Sequence, residues 1–225
     1  STRGSALGYL GRYEEAVESC DRALALNPKY SDAWVNRGIA LGNLGRYEEA
    51  VESCDHALAI NANDDAAWLN RGVELFKSGR YEEAVESYDL TLALNPNDDL
   101  AWNNRGNALG NLGRYEEALE SYDRALALNP NDDMAWYGRG FAISKLRHSV
   151  TTPLVIQYPK LAQPGYPGEL ATYDQGLQHC TRDTHPEGWG RLHYAKGRSH
   201  YHYAHPKLYL RNRRSYFSKA RSEYL

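Results

Sequence analysis

AWNNRGNALGNLGRYEEALESYDRALALNPND, Ala101 to Asp132, reads as two helices joined by a tight turn. Trp102, Gly106 and Leu109 recur at helical spacing on one face of the first, and Ala118, Tyr122 and Ala125 on the second. Gly106 and Ala118 are small, which lets two helix axes approach, while Trp102 and Tyr122 fill the space around that contact. Leu112-Gly113 ends the first helix, because glycine takes the left-handed C-terminal conformation without strain. Pro130 stops the second, and Asp132 and Asp133 are positioned to cap the next.

The same text recurs along the chain. Trp34, Trp68, Trp102 and Trp136 are each 34 residues apart, each in an Ala-Trp pair, with Gly38, Gly72, Gly106 and Gly140 four residues after the Trp. This sequence closely resembles the tetratricopeptide family over residues 1–147. The resemblance implies an all-α, right-handed superhelical solenoid of helical hairpins, with a partial first repeat and repeats starting near residues 31, 65, 99 and 133. Cys20 and Cys54 stand where later repeats carry Tyr88 and Tyr122, and read as small buried hydrophobes. Equivalent residues of stacked repeats lie about 10 Å apart, beyond the roughly 7 Å reach of a disulfide, so free thiols are expected. Thr91 in place of Ala and Ala62 in place of Pro are tolerable departures.

After Lys145 the repeat breaks. The next matching Trp is Trp189, 53 residues after Trp136 and 19 beyond the period. The excess falls in residues 148–168, where Pro153, Pro159, Pro164 and Pro167 predict a long loop inserted in the fourth Trp-containing repeat. Leu154-Val155-Ile156 within it reads as an apolar plug folded on the array, or else as a docking strand. Residues 169–225 read as degenerate repeat helices: Glu169 to Cys180 as the displaced second helix, then helices near Glu187 to Tyr203 and Arg213 to Leu225. The run HPEGWGRLHYAKGRSHYHY, His185 to Tyr203, also resembles the segment preceding the caspase-like domain of bacterial, especially cyanobacterial, CHAT proteases. That resemblance implies a regulatory arm whose catalytic His and Cys lie beyond Leu225.

Composition describes a folded chain: of 225 residues, 42% are hydrophobic and 24% charged. No apolar run suits a membrane span or a signal peptide, and three cysteines without CxxC spacing suit a reducing compartment, so a cytoplasmic protein is expected. The sequence opens with Ser1, which leaves a removed leader open. Both ends are read as cut through a repeat, so exposed apolar residues around Leu7, Leu10, Tyr216 and Tyr224 predict end-to-end association. The net charge of -3 hides +7 over residues 147–225 and -10 over the rest. Differing solvated faces account for this; the sharper alternative is an acidic partner near Arg211, Arg213 and Arg214.

No catalytic residue, cofactor or metal is expected. No nucleophile elbow, caspase signature, phosphate loop or dinucleotide fingerprint occurs. His179 and Cys180 are adjacent on a helix and point about 100° apart, so they form no dyad. Glu pairs such as Glu116-Glu117 recur in every repeat and mark a solvated face. His200, His202 and His205 with Cys180 or His185 are the one conceivable ligand set, without zinc spacing.

In the family the first helix of each hairpin lines the concave surface. Carried over, positions one, five and eight or nine after each Trp give the candidate partner-binding residues: Val35, Ile39 and Asn43; Leu69, Val73, Phe76 and Lys77; Asn103, Asn107 and Asn111; Tyr137, Phe141 and Lys145. Gly42, Gly110 and Ser144 fall on the same faces, and Asn36, Asn70 and Asn104 beside them offer amides to a bound backbone. Apolar side chains in such a line are costly to leave exposed, which predicts a protein or peptide partner with apolar anchors. A relative in the family clamps acidic carboxyl termini of heat-shock chaperones; Ile39, Val73 and Phe141 replace polar clamp members here. Nucleic acid is not expected, for want of a basic lining. The chain reads as an interaction scaffold, with the sensing arm of a caspase-like protease as the alternative.

Overall fold

The structure is a computed structural model that describes residues 2–146 and 166–204. The described residues form eleven α-helices: α1 Thr2–Tyr9, α2 Tyr13–Leu26, α3 Ser31–Asn43, α4 Tyr47–Ile60, α5 Asp65–Lys77, α6 Tyr81–Leu94, α7 Asp99–Asn111, α8 Tyr115–Leu128, α9 Asp133–Lys145, α10 Tyr166–His179 and α11 Pro186–Ala204. The chain divides into two units, residues 1–108 and 109–225. In the first, α3 packs on α4 and α5 on α6, with α2 against α3 and α4 against α5. In the second, α9 packs against α8, α10 and α11. The fold is all-α, a succession of helical hairpins.

Local chemistry sets the joints. Gly45, at φ 76°, closes α3. Arg46 N–H then reaches back to the Leu41 carbonyl at 3.0 Å, so the last turn of the helix is satisfied. The same turn recurs at Gly11, Gly79 and Gly113. Asp64, Asp98 and Asp132 accept backbone N–H bonds at the starts of α5, α7 and α9, from Ala67 at 3.0 Å, Ala101 at 2.9 Å and Ala135 at 3.1 Å. Asp133 is a helical residue and pairs with Arg191 instead of capping.

The indole N–H of Trp34, Trp68, Trp102 and Trp136 donates to the carbonyl six residues earlier: Pro28, Ala62, Pro96 and Pro130, at 2.9 to 3.0 Å. The acceptor is a main-chain oxygen, which explains why Ala62 replaces Pro without loss. Three residues after each of these four Trp stands an arginine that the period alone does not single out. Arg37 Nε bonds Asp21 on the preceding helix at 2.7 Å and its Nη1 bonds Ser53 on the following one at 2.7 Å. Arg71 does the same with Asp55 and Ser87. Each such arginine ties its own hairpin to the helix before it.

The fourth set is stretched in sequence but not in space. Arg139 Nε bonds Asp123 at 2.6 Å, and its Nη1 bonds Thr172 at 2.7 Å, 33 residues on where the other sets have 16. Tyr173 packs against Gly140 as Tyr88 packs against Gly72. Helix α10 begins at Tyr166, inside the span read from sequence as loop. Pro167 does not oppose this, since a helix's first turn has no internal acceptor for its N–H groups.

Cys20, Cys54 and Cys180 are free and buried, and burial pushes the Cys54 thiol up to about 12. Thr91 is buried and bonds the Ser87 carbonyl at 3.1 Å. Leu7 corrects an expectation: it is 7% exposed, packed with Val17 and Leu41 because α1 is a helix docked on α2 and α3, whereas Leu10 is 71% exposed. Residues 154–156, Arg211, Arg213, Arg214, Tyr216 and Tyr224 lie outside the described residues, as does the helix expected over 213–225.

Candidate partner-binding faces

In unit 1, α3 presents Ile39 at 38% exposure and an exposed Asn43, whose amide donates to the Ile39 carbonyl at 2.8 Å. Val35 packs half-buried against Ala57, Leu58 and Ala67. On α5, Leu69, Val73 and Phe76 are half-buried, and the Phe76 ring meets Tyr81 edge-on with centroids 5.3 Å apart. Lys77 is exposed and held at 2.8 Å by Glu74, a buried carboxylate. A cavity of about 290 Å³ collects Ile39, Asn43 and Asn36 with Tyr9 and Tyr13.

Asn103 and Gly42 are not open on these faces, contrary to expectation. Asn103 is 7% exposed, so it is no open contact, and its Oδ1 has no partner among the described residues. Asn107 is half-buried. Gly42 is buried because the Glu74 carboxylate lies on it, where a Cβ would be 2.3 Å away. Asn36 and Asn70 turn their amide N–H onto their own helices, to the Asp32 and Ala66 carbonyls at 2.7 and 2.8 Å, so these donors are already engaged.

In unit 2, Asn111 is exposed at the end of α7, and α9 presents a half-buried Tyr137, Phe141 at 43% exposure and an exposed Lys145. The Lys145 ammonium lies 5.0 Å from the centre of the Phe141 ring. These three line a cavity of about 420 Å³ with Glu169 and Tyr173 of α10 and Ala195, Arg198 and Ser199 of α11. Glu169 is buried and accepts from the Ser199 hydroxyl and, at 3.4 Å, from Tyr173. Arg198 was within reach of the sequence: it stands nine residues after Trp189, as Lys145 does after Trp136. Tyr194, five after Trp189, is 52% exposed in the step that Phe141 occupies after Trp136.

The other candidate chemistry is taken up by packing. His179 stacks on Trp136 with centroids 6.0 Å apart. The Cys180 thiol points to the Asn131 carbonyl at 3.3 Å, and burial pushes it up to about 11. Among the described residues no group of three His, Cys, Asp or Glu is placed to hold a metal, and no helix is long and apolar enough to cross a membrane. The side chains of His202 and His205 lie outside the described residues. The second glutamate of each recurring pair is held by an arginine, as Glu83 is by Arg80 at 2.5 Å, which lowers that carboxyl.

Comparisons with known proteins agree with the fold. Tetratricopeptide-repeat family patterns match residues 1–66, 72–113 and 100–132, and so do not reach α11. No curated protein matches the chain. Among solved structures, Pseudomonas aeruginosa pilF is 19% identical over 99% of this chain and 92% of its own, with a TM-score of 0.69. YrrB, described as a TPR protein with an unusual peptide-binding site, is 18% identical over 92% and 93%, with a TM-score of 0.64. MamA of Desulfovibrio magneticus RS-1 is 26% identical over 63% of this chain and 80% of its own, with a TM-score of 0.59. With its 34-residue text, its Trp and Arg ties and these matches, the chain is a tetratricopeptide-repeat protein.

Proposed function

We propose that the chain is a protein-interaction scaffold whose first-helix faces hold a polypeptide segment by apolar anchors. The observation that carries this is the exposure of Ile39 at 38% and Phe141 at 43% at the same step, five residues after Trp34 and Trp136. Neither is needed to bury the hairpin beneath it, and each extends a row that includes half-buried Val35 or Tyr137. A row of this kind gains free energy only when a partner covers it, at about 25 cal/mol per Å² of apolar surface removed from water. A solenoid offers such rows to extended or helical segments.

The same reading covers the domain organisation. Residues 1–147 form the regular array, and α10 completes the hairpin that α9 opens after an insertion. The Arg139–Thr172 and Gly140–Tyr173 pairs support this: both are 33 residues apart in sequence, where Arg37–Ser53 and Gly72–Tyr88 are 16 apart.

Panning a random-peptide display library on the chain tests the scaffold reading. The wild type enriches peptides with aromatic or aliphatic anchors, and Ile39→Glu with Phe141→Glu loses them while helix content by circular dichroism is unchanged. Equal enrichment by both proteins removes the faces from consideration.

A further inference from the structure

The outward side of α6 departs from the repeat at one step, and that step changes both its charge and its surface. The second helices of unit 1 each expose a line of residues four apart: Glu14, Glu18, Arg22 and Leu26 on α2; Glu48, Glu52, His56 and Ile60 on α4; Glu82, Glu86, Leu90 and Leu94 on α6. On α2 the third member sets a cation one turn after Glu18, as Arg124 does after Glu120 on α8. On α4 the third member is His56, whose ring is stacked on Trp34 with centroids 4.3 Å apart. On α6 it is Leu90, which supplies no counter-charge and is 43% exposed, one turn from Leu94 at 42%. Leu100, at 58%, follows in the first turn of α7, across the bend where the Asp98 N–H bonds the Asn95 carbonyl at 3.4 Å. Its own step holds Asp32 and Ala66 in the two preceding hairpins. Helix α6 already buries Val85, Tyr88 and Leu92, so the outer leucines are not needed to hold its hairpin. Glu82 and Glu86 make no ion pair among the described residues, while Arg80 and Arg105 are bound to Glu83 and Asp89.

We propose that this side of α6 is a second docking surface, separate from the first-helix faces, and that its occupant is a basic amphipathic helix of a partner protein. Aliphatic side chains of that helix cover Leu90, Leu94 and Leu100, and its lysines or arginines stand beside Glu82 and Glu86. The pattern on α6 advances by four residues, about 6 Å along the axis, and a helix laid alongside repeats the same step. Covering the leucines supplies binding free energy, and the two carboxylates at one end orient the partner and speed its encounter. An acidic helix would meet two carboxylates that nothing on this side compensates, so the charge selects against it. The surface does not depend on the first-helix faces and holds or fails without them.

The test pans a displayed library of single helices, varied among Leu, Lys, Glu and Ser on one side, on the full chain, and titrates the best synthetic helix by fluorescence anisotropy. Selected helices are expected to carry leucines four residues apart with lysines one or two turns away. Leu90→Arg gives α6 the residue that α2 and α8 carry at this step, and should weaken binding about tenfold. Glu82→Gln with Glu86→Gln should weaken it about fivefold at low salt, and the difference should close as salt rises. These positions are exposed, so helix content by circular dichroism should not change. Ile39→Glu with Phe141→Glu should leave this binding intact. Selection of helices without lysine, selection of none, or binding that Leu90→Arg does not alter overturns the proposal. Loss of binding in the Ile39 and Phe141 variant overturns it too, by moving the site to the first-helix faces. A chain that sediments as a dimer, and as a monomer with Leu90→Arg, while no helix is selected, overturns the partner in favour of a second copy.

Discussion

The hairpin α5–α6 and the pair α9–α10 are built from the same contacts and bury them to different depths. In the first, Arg71 keeps 19% of its side chain exposed while it binds Asp55 and Ser87, its guanidinium 5.8 Å from a half-buried Trp68 ring. In the second, Arg139 and Trp136 are both fully buried. His179 of α10 covers the Trp136 ring, and α10 brings Gly176 so close that a Cβ there would lie 2.8 Å from Trp136 and 2.9 Å from Leu192 of α11. One tie can therefore be a screened surface pair or a buried charge, depending on what the next helices lay over it.

The largest effect that follows concerns these two arginines. Asp123 sits with Arg139 under cover, and burial pushes its carboxyl up despite the arginine. Removing the cation strands that carboxylate, which costs about 3 to 5 kcal/mol for a buried pair. Arg71 faces an Asp55 that is 53% exposed, so its removal costs about 1 kcal/mol or less after solvent screening. Arg139→Met should lower the unfolding temperature of the chain far more than Arg71→Met in paired calorimetric scans. Equal losses would mean that burial of the fourth tie carries no extra weight.

A smaller effect separates the hairpins by the partner of one glycine. A Cβ at Gly72 would lie 2.6 Å from the Tyr88 ring and one at Gly140 2.4 Å from the Tyr173 ring, whereas at Gly38 it meets Cys54 Sγ and the Ala50 carbonyl at 3.1 Å. Gly72→Ala and Gly140→Ala should each destabilise by about 1 to 3 kcal/mol through overpacking. Gly38→Ala should stay near neutral, because the gain in helix propensity, about 1 kcal/mol, offsets the milder crowding. Tyr88→Cys should rescue Gly72→Ala, because it sets opposite residue 72 the small side chain that Cys54 sets opposite Gly38. Denaturant melts of the double-mutant cycle check this, and a purely additive result would show that the ring is not the obstacle.

Much of this was legible in the text of the repeat. The period, the glycine turns, the aspartate caps and the Cys-for-Tyr exchange follow from residue types that do one job wherever they stand. The arginine ties were not read, because a polar residue three after the Trp looks like any solvated position until its Asp and Ser, each 16 residues away, are seen to converge on it. The count from Trp136 to Trp189 gave an excess of 19, while the Arg139 and Gly140 pairs give 17. The difference lies in the joint after α10, where six residues stand between helices in place of the four between α8 and α9. On the candidate faces Ile39 and Phe141 are exposed as helical periodicity expects while Asn103 is not, since periodicity says which way a residue points and not what lies over it. Arg198 was missed only because the step of nine was not carried on to Trp189.

The smallest expected effect sharpens the comparison from the side of unit 1. Glu74 stands six residues after Trp68, where Ala40, Ala108 and Ala142 follow their own Trp residues. It is 3% exposed and bonded to Lys77 at 2.8 Å, and its Oε2 has no partner among the described residues. Burial raises its pKa above the ordinary carboxylate range, more than Lys77 lowers it. A carboxyl raised on folding takes up its proton in the native state before the unfolded chain does. Its charge therefore costs stability at neutral pH. That cost is relieved as pH falls through the raised value, and the relief is complete below the unfolded value of about 4.3. Glu74→Gln keeps the shape without the charge and should stabilise the chain by roughly 1 kcal/mol at neutral pH, within what single burial terms contribute. The gap between variant and wild type should close on acidification toward pH ~4. Loss of stability at neutral pH would show that the Lys77 pair outweighs desolvation, and that the one carboxylate set among the alanines of this register holds unit 1 together.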